Sequence, residues 1–270
     1  MTTKRFRCDL RRRASRLVRG AAATAIIAGL VSAPAAAQQR DPKAVELAKS
    51  VMQAMGGEKA WDNVHFLRYD FIVSMGGETR VNRGHLWDKW AGRYRFESKT
   101  KDGKSQVVLF NVNDQRGDVY IDGARIEGDD AAAALKGAYS AFINDMYWLA
   151  MPWKWLDSGV SLKYSGPAEH DGRKFEMIEL SFNNVGLTPG DHYKAYVDPA
   201  SKLMTYWEYT LQSGNEGAWN WDYGTHKGVK LASSHSNAEG ASISMGTVAV
   251  FDEVEDSFFT DPARGVSQLR

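Results

Sequence analysis

Six histidines carry most of the chain's capacity for proton transfer or metal ligation: His65, His85, His170, His192, His226 and His235. None stands at metal-ligand spacing from another. HExxH, GxSxG, a phosphate-binding glycine loop and a GxGxxG leading into a helix are all missing from the sequence. Motifs therefore assign no catalytic residue, no metal and no cofactor. His65, beside Phe66, reads as a packed or surface strand residue. Asp191-His192 follows Pro189-Gly190 in a loop, and loops carry function more often than cores do. That pair reads either as a general base, with His226 or His235 as a further polar partner, or as a hydrogen-bonded loop cap.

The stronger signal is aromatic. Of nine tryptophans, six fall between Trp148 and Trp221, which is dense enough to form one wall. Trp219-Asn220-Trp221 puts two indoles on one face of a strand, and Tyr209 and Tyr223 extend the set. From Ala131 to Ser158, Leu135, Tyr139, Phe142, Met146 and Leu149 are spaced 4, 3, 4 and 3, the period of a helix with one apolar stripe. The apolar surface continues through Met151, Trp153 and Trp155, and Pro152 predicts an end or kink near Met151. Such a stripe either packs a core or covers an apolar cavity. The candidates for lining a cavity are Tyr139, Phe142, Met146, Trp148, Met151, Trp153, Trp155, Trp207, Trp219 and Trp221. Aromatic side chains hold acyl chains or flat ligands well, because they give large contact area at small entropic cost.

The elements that would position these residues are mostly strands. Asp41 and Pro42 fit the N-cap and first position of an opening helix, with Ala44, Leu47, Ala48, Val51 and Met55 on one face and Gly56-Gly57 at its end. From Val64 to Ser74, Leu67, Tyr69, Phe71 and Val73 alternate with Arg68 and Asp70, the period of a half-buried antiparallel strand. About a dozen such segments follow up to Val254, the last reading as one strand over Ser242–Val254. Short turns rich in Gly, Pro, Asn and Asp join them, which makes neighbours antiparallel. The expected class is mainly β with some helix (α+β): a strongly curved antiparallel sheet forming an incomplete barrel, with helices covering its concave face. Phe258-Phe259 is expected to pin the C-terminus to the body, and Ala263–Arg270 to fray.

Met1–Gly20 is strongly basic and Ala21–Ala33 is apolar, followed by Ala35-Ala36-Ala37. This is the pattern of a secretory signal peptide cleaved near Ala37. The apolar run is too short for the roughly 20 residues of a membrane-spanning helix, so no stable membrane span is expected. Residues 38–270 read as a single domain. Eight of the 34 Lys+Arg and one of the 33 Asp+Glu lie in residues 1–37, leaving 26 basic and 32 acidic residues and a net charge of −6. That balance argues against a nucleic-acid partner. The only cysteine, Cys8, falls in the signal segment, so the mature chain has no disulfide or thiol chemistry. A periplasmic location follows.

Several stretches together resemble the LolA/LolB-like superfamily of periplasmic lipoprotein-carrier folds. They are Met146–Val160 (MYWLAMPWKWLDSGV), Gly186–Tyr193 (GLTPGDHY), Val197-Asp198-Pro199 running into Leu203-Met204 and Trp207-Glu208-Tyr209, Trp221–Leu231, and the opening helix closed by Met55-Gly56-Gly57. The resemblance implies an incomplete antiparallel barrel whose helices close an apolar cavity, which in the best-known members takes lipoprotein acyl chains. The expected function is a periplasmic binding or carrier protein, not an enzyme, for a hydrophobic small molecule or a lipid or lipoprotein acyl chain. The alternatives are a small-molecule enzyme using the Asp191/His192 loop, and an envelope interaction protein with a filled core that pairs a partner strand at its sheet edge.

Overall fold

The computed structural model describes residues 38–183 and 185–269. The expected signal peptide and its cleavage point lie outside them. Helix α1 (Pro42–Ala54) opens the chain, with the Asp41 carboxylate accepting from the Lys43 backbone N–H at 2.8 Å and Pro42 in the first turn. It ends at Gly56-Gly57. At Gly56 φ is +122°, and an added Cβ would lie 2.2 Å from the Gly228 carbonyl oxygen, so only glycine fits there. A short helix α2 (Glu58–Asp62) follows, lifting Trp61 onto Trp153 in a parallel stack at 5.4 Å.

Six strands come next: β1 (Phe66–Met75), β2 (Glu78–Asp88), β3 (Arg93–Lys99), β4 (Ser105–Asn111), β5 (Gly117–Ile121) and β6 (Ala124–Ile126). The long helix α3 (Gly128–Ala150) then crosses to a second run: β7 (Val160–His170), β8 (Arg173–Phe182), β9 (His192–Val197), β10 (Met204–Thr210), β11 (Glu216–His226), β12 (Val229–Ser236) and β13 (Ala241–Ser244). A final short strand β14 (Ala249–Phe251) and helix α4 (Ser257–Thr260) lead into the tail. All fourteen strands form one antiparallel sheet ordered 6-5-4-3-2-1-13-12-11-10-9-8-7, with β14 also paired to β1. The sheet is open, and β6 and β7 are its edges. Two meanders are joined at a single seam, where Ile72 to Met75 pair with Ser244 to Ala241.

The main core draws together residues of α1, the C-terminal half of α3, β1 and β7–β13. So many strands reach one cluster on one face only because the sheet curls around the helices. A second cluster seats the N-terminal half of α3 (Ala138 and Ala141, with Tyr139 and Phe142 against them) on Tyr94, Phe96, Val108, Phe110 and Val119. One helix thus spans both halves of the concave face. It ends at Ala150, one residue before the expected stop, and the chain continues as a 3-10 turn over Met151–Lys154 with Pro152 inside it.

Three expectations change. The segment read as one strand from Ser242 to Val254 is two, β13 and β14, because the chain breaks at Met245–Val248 where Gly246 passes against Asp70. The strand β6 was not foreseen. The C-terminus does not fray: Val266 is buried with Phe258, Phe259, Phe66 and Leu86 on the outer face of β1 and β2. The cause lies in two buried cations. Arg95 donates to the carbonyls of Phe258, Asp261, Pro262 and Arg264, and Arg68 Nε donates to the Val266 carbonyl at 3.1 Å. Buried guanidinium groups need acceptors, and the folded-back tail supplies them.

Candidate functional site

Where the C-terminal half of α3 meets β8–β10, a cleft of about 380 Å³ remains, in the range of small-molecule sites. Ile143, Asn144, Tyr147 and Trp148 of α3 form one wall. Phe182, Tyr193, Trp207 and Tyr209 of the sheet form the opposite one. The loop through Val185, Leu187 and Asp191 closes the mouth, with Leu187 exposed at the rim. The side chains reach the cleft for a simple reason. On α3, residues 143, 144, 147 and 148 share the helical face next to the core stripe. On β9 and β10, Tyr193, Trp207 and Tyr209 occupy alternate, inward positions.

The rings form a continuous chain. Tyr147 lies 5.7 Å from Tyr193, Tyr193 4.9 Å from Trp207, and Trp207 5.4 Å from Tyr209. Trp207 crosses Trp148 at 90° and Trp221 at 89°. The indole Nε1 atoms of Trp207 and Trp221 have no hydrogen-bond partner among the described residues. Perpendicular packing sets ring edges on ring faces, an arrangement in which a π cloud can partly satisfy an N–H. Burial raises the phenol pKa of Tyr147 well above its usual value, and burial together with the Asp191 carboxylate does the same to Tyr193. Both stay neutral at any physiological pH.

Asp191 is 2% exposed and fully engaged. Its carboxylate accepts from Thr188 Oγ1 at 2.5 Å, Tyr193 Oη at 3.1 Å and the Gln212 backbone N–H at 2.8 Å, which pins the loop to the sheet. The adjacent His192 leaves β9 on the opposite face. There it borders a wider, polar hollow on the outside of the sheet, flanked by the ion pairs Lys163–Glu179 and Lys194–Glu208 at 3.1 and 3.5 Å. Neighbouring strand residues point to opposite faces, so Asp191 and His192 do not form a dyad. Asp191 does the work of a loop clamp.

Of the ten aromatic and methionine candidates, Trp148 and Trp207 border the cleft. Met146, Met151, Trp153, Trp155, Trp219 and Trp221 are buried in the main core. Tyr139 packs on the second cluster, and Phe142 bridges the two. Tyr209, which the sequence reading added to the aromatic set, also lines the cleft, whereas the wall residues Ile143, Asn144, Tyr147, Phe182 and Tyr193 escaped it. The useful signal was the helical face one step round from the stripe.

Sequence reasoning also missed a buried polar chain beneath the middle of α3. Asp145, fully buried, accepts two hydrogen bonds from Arg83 Nη1, both at 3.0 Å. His85 Nε2 stands 3.1 Å from the same carboxylate, without good hydrogen-bond alignment. His85 Nδ1 meets Tyr94 Oη at 2.8 Å, and Tyr94 Oη meets Tyr69 Oη at 3.0 Å. Arg83 and His85 project from the same face of β2, and Tyr69 lies directly across the ladder from His85, their rings stacked at 4.3 Å. Asn144 links this chain to the cleft: it lines the wall and donates to Asp145 Oδ1 at 2.8 Å.

Among the described residues no cluster of His, Cys, Asp and Glu could hold a metal ion. No helix among them is long and apolar enough to cross a membrane. No family model and no curated protein matches the sequence. Among solved structures the chain is similar to a DUF1329 family protein from Desulfovibrio piger, at 13% identity over 82% of this chain and 98% of that one, with a TM-score of 0.45. It is also similar to a LolA superfamily protein from Nitrosomonas europaea, at 11% identity over 78% and 97% of the two chains, with a TM-score of 0.44.

Proposed function

We propose that this protein binds a hydrophobic small molecule or a lipid acyl chain in the cleft beside α3 and carries it through the periplasm. The C-terminal half of α3 and the Val185–Asp191 loop are the cover. One observation carries the reading: an aromatic-walled cleft of about 380 Å³ stays open at the margin of a packed core. The resemblance of the sequence to periplasmic lipoprotein carriers and its signal-like N-terminus support the cargo class and the compartment. Burial contributes about 0.8 kcal/mol per methylene, so about eight to ten methylenes would give roughly micromolar binding after association costs. The opposed directions of Asp191 and His192 weigh against an enzyme built on that pair.

Filling the cleft tests the proposal. Trp148 is boxed in by Trp207 and Trp219, so replacing it would disturb the core. Ile143 is the better position. Ile143→Trp is expected to reduce uptake of the uncharged fluorescent probe N-phenyl-1-naphthylamine by about tenfold or more, with circular dichroism unchanged. Undiminished uptake by a folded variant would rule the cleft out as the site.

A further inference from the structure

The cleft has an electrostatic character that an acyl-chain site does not need. Six aromatic side chains border it: Tyr147, Trp148, Phe182, Tyr193, Trp207 and Tyr209. Its described lining contains no Lys, Arg or His, and its one ionisable acid is Asp191. That carboxylate sits between two lining hydroxyls, Thr188 Oγ1 and Tyr193 Oη. Every donor it meets is neutral, so its negative charge has no cationic partner among these contacts. Aromatic faces carry negative electrostatic potential and attract a cation placed over them, most strongly where water is thin. A wall of electron-rich rings beside an uncompensated carboxylate repels anions and draws in cations.

We propose that the cleft selects an organic cation: a single-chain amine or quaternary ammonium amphiphile, with its charged head among Tyr193, Tyr209 and Asp191 and its tail along Ile143, Trp148 and Leu187. This inference rests on the binding reading above and narrows it. The volume suits one chain rather than the several of a lipoprotein anchor. A fatty acid would place its carboxylate against Asp191 with no lining cation to meet it.

The test uses three ligands with the same ten-carbon tail and different heads: decyltrimethylammonium, decanol and undecanoate, the last standing for the fatty-acid class. Each is titrated against the mature chain below its micelle-forming concentration, with tryptophan fluorescence as the readout. The cation is expected to bind about tenfold or more tighter than decanol, and undecanoate most weakly. Asp191→Asn should narrow the ratio of cation to decanol affinity towards one, whatever it does to decanol itself; an unchanged ratio would overturn the role of the carboxylate. Because Asp191 also holds its loop, Tyr209→Leu provides a second variant that keeps an apolar wall and removes one ring; it should weaken the cation about threefold or more beyond any loss it causes for decanol, and an equal loss for both would overturn the selectivity. If decanol or undecanoate binds as tightly as the cation, the selectivity is overturned while the cleft remains a binding site. If none of the three binds, the binding reading itself falls.

Discussion

Asp145 shows how much a single side chain can decide. It sits in the apolar stripe of α3, three residues after Phe142 and four before Leu149, where a carboxylate is costly unless paired. Arg83, His85 and Asn144 supply the partners. Removing one member of such a set leaves the others stranded. Asp145→Leu is therefore expected to lower unfolding free energy by about 3 kcal/mol in urea titrations, a figure held down because the Arg83 side chain is 30% exposed and can reach water. Adding Arg83→Met should recover part of that loss, since no guanidinium is then left without its acceptor. A double variant no more stable than Asp145→Leu would mean the pair contributes little beyond packing. None of this is legible in the sequence. A lone Asp in a helical stripe looks like a break in the face, and two of its three partners, Arg83 and His85, lie about sixty residues upstream.

Among the elements, those with a local cause were legible. Asp41-Pro42 starts α1, Pro152 follows the end of α3, and the alternation of Leu67, Tyr69, Phe71 and Val73 with Arg68 and Asp70 marks β1. The tail was not, because its order depends on Arg68 and Arg95, remote residues whose burial no local pattern reveals. Its seat is equally specific. Gly84 on β2 leaves the space that Val266 occupies, and a Cβ there would lie 2.6 Å from Val266 Cγ2. Gly84→Val should overpack this contact and cost about 1–3 kcal/mol. The variant should also be cut by protease near Ala263 faster than the wild type. Equal cleavage rates would show that the tail does not depend on this seat. The division of the aromatics between cleft and core was hidden for a related reason: periodicity gives the face of a helix, but the curl of the sheet decides which part of that face is covered.

At the scale of the whole molecule, the packed interior sets a pH dependence. His235 lies among Trp148 and Trp221, with ring centroids at 5.1 and 4.2 Å, and burial pushes its pKa down to about 3. In the unfolded chain the same ring takes a proton near pH 6.5. Between these values the unfolded state binds more protons, so stability is complete above about pH 6.5 and declines as the pH falls, by up to about 1.4 kcal/mol per pH unit. Urea midpoints should drop between pH 6.5 and 4.5, before most carboxylates titrate. His235→Phe, which keeps a ring in place, should flatten that slope; an unchanged slope would assign it to other groups. The mainly β class and the open, curled sheet were readable from strand count and short turns. The strand order was not, since alternation says which residues share a face and nothing about which strands become neighbours.

The seam between the two meanders has a consequence for how the chain reaches this state. Every other pairing in the ordered sheet joins consecutive strands within one meander, by turns of modest length, whereas β1 must wait for β13 and β14, about 170 residues later. Pairings so distant in sequence carry a large loop-closure cost and are associated with slow folding. As the chain emerges N-terminus first, β1 offers an unpaired edge throughout the synthesis of everything up to Ala241. The first meander is thus a half-built template for its own completion, open to intermolecular strand pairing for as long as the last hairpin is absent.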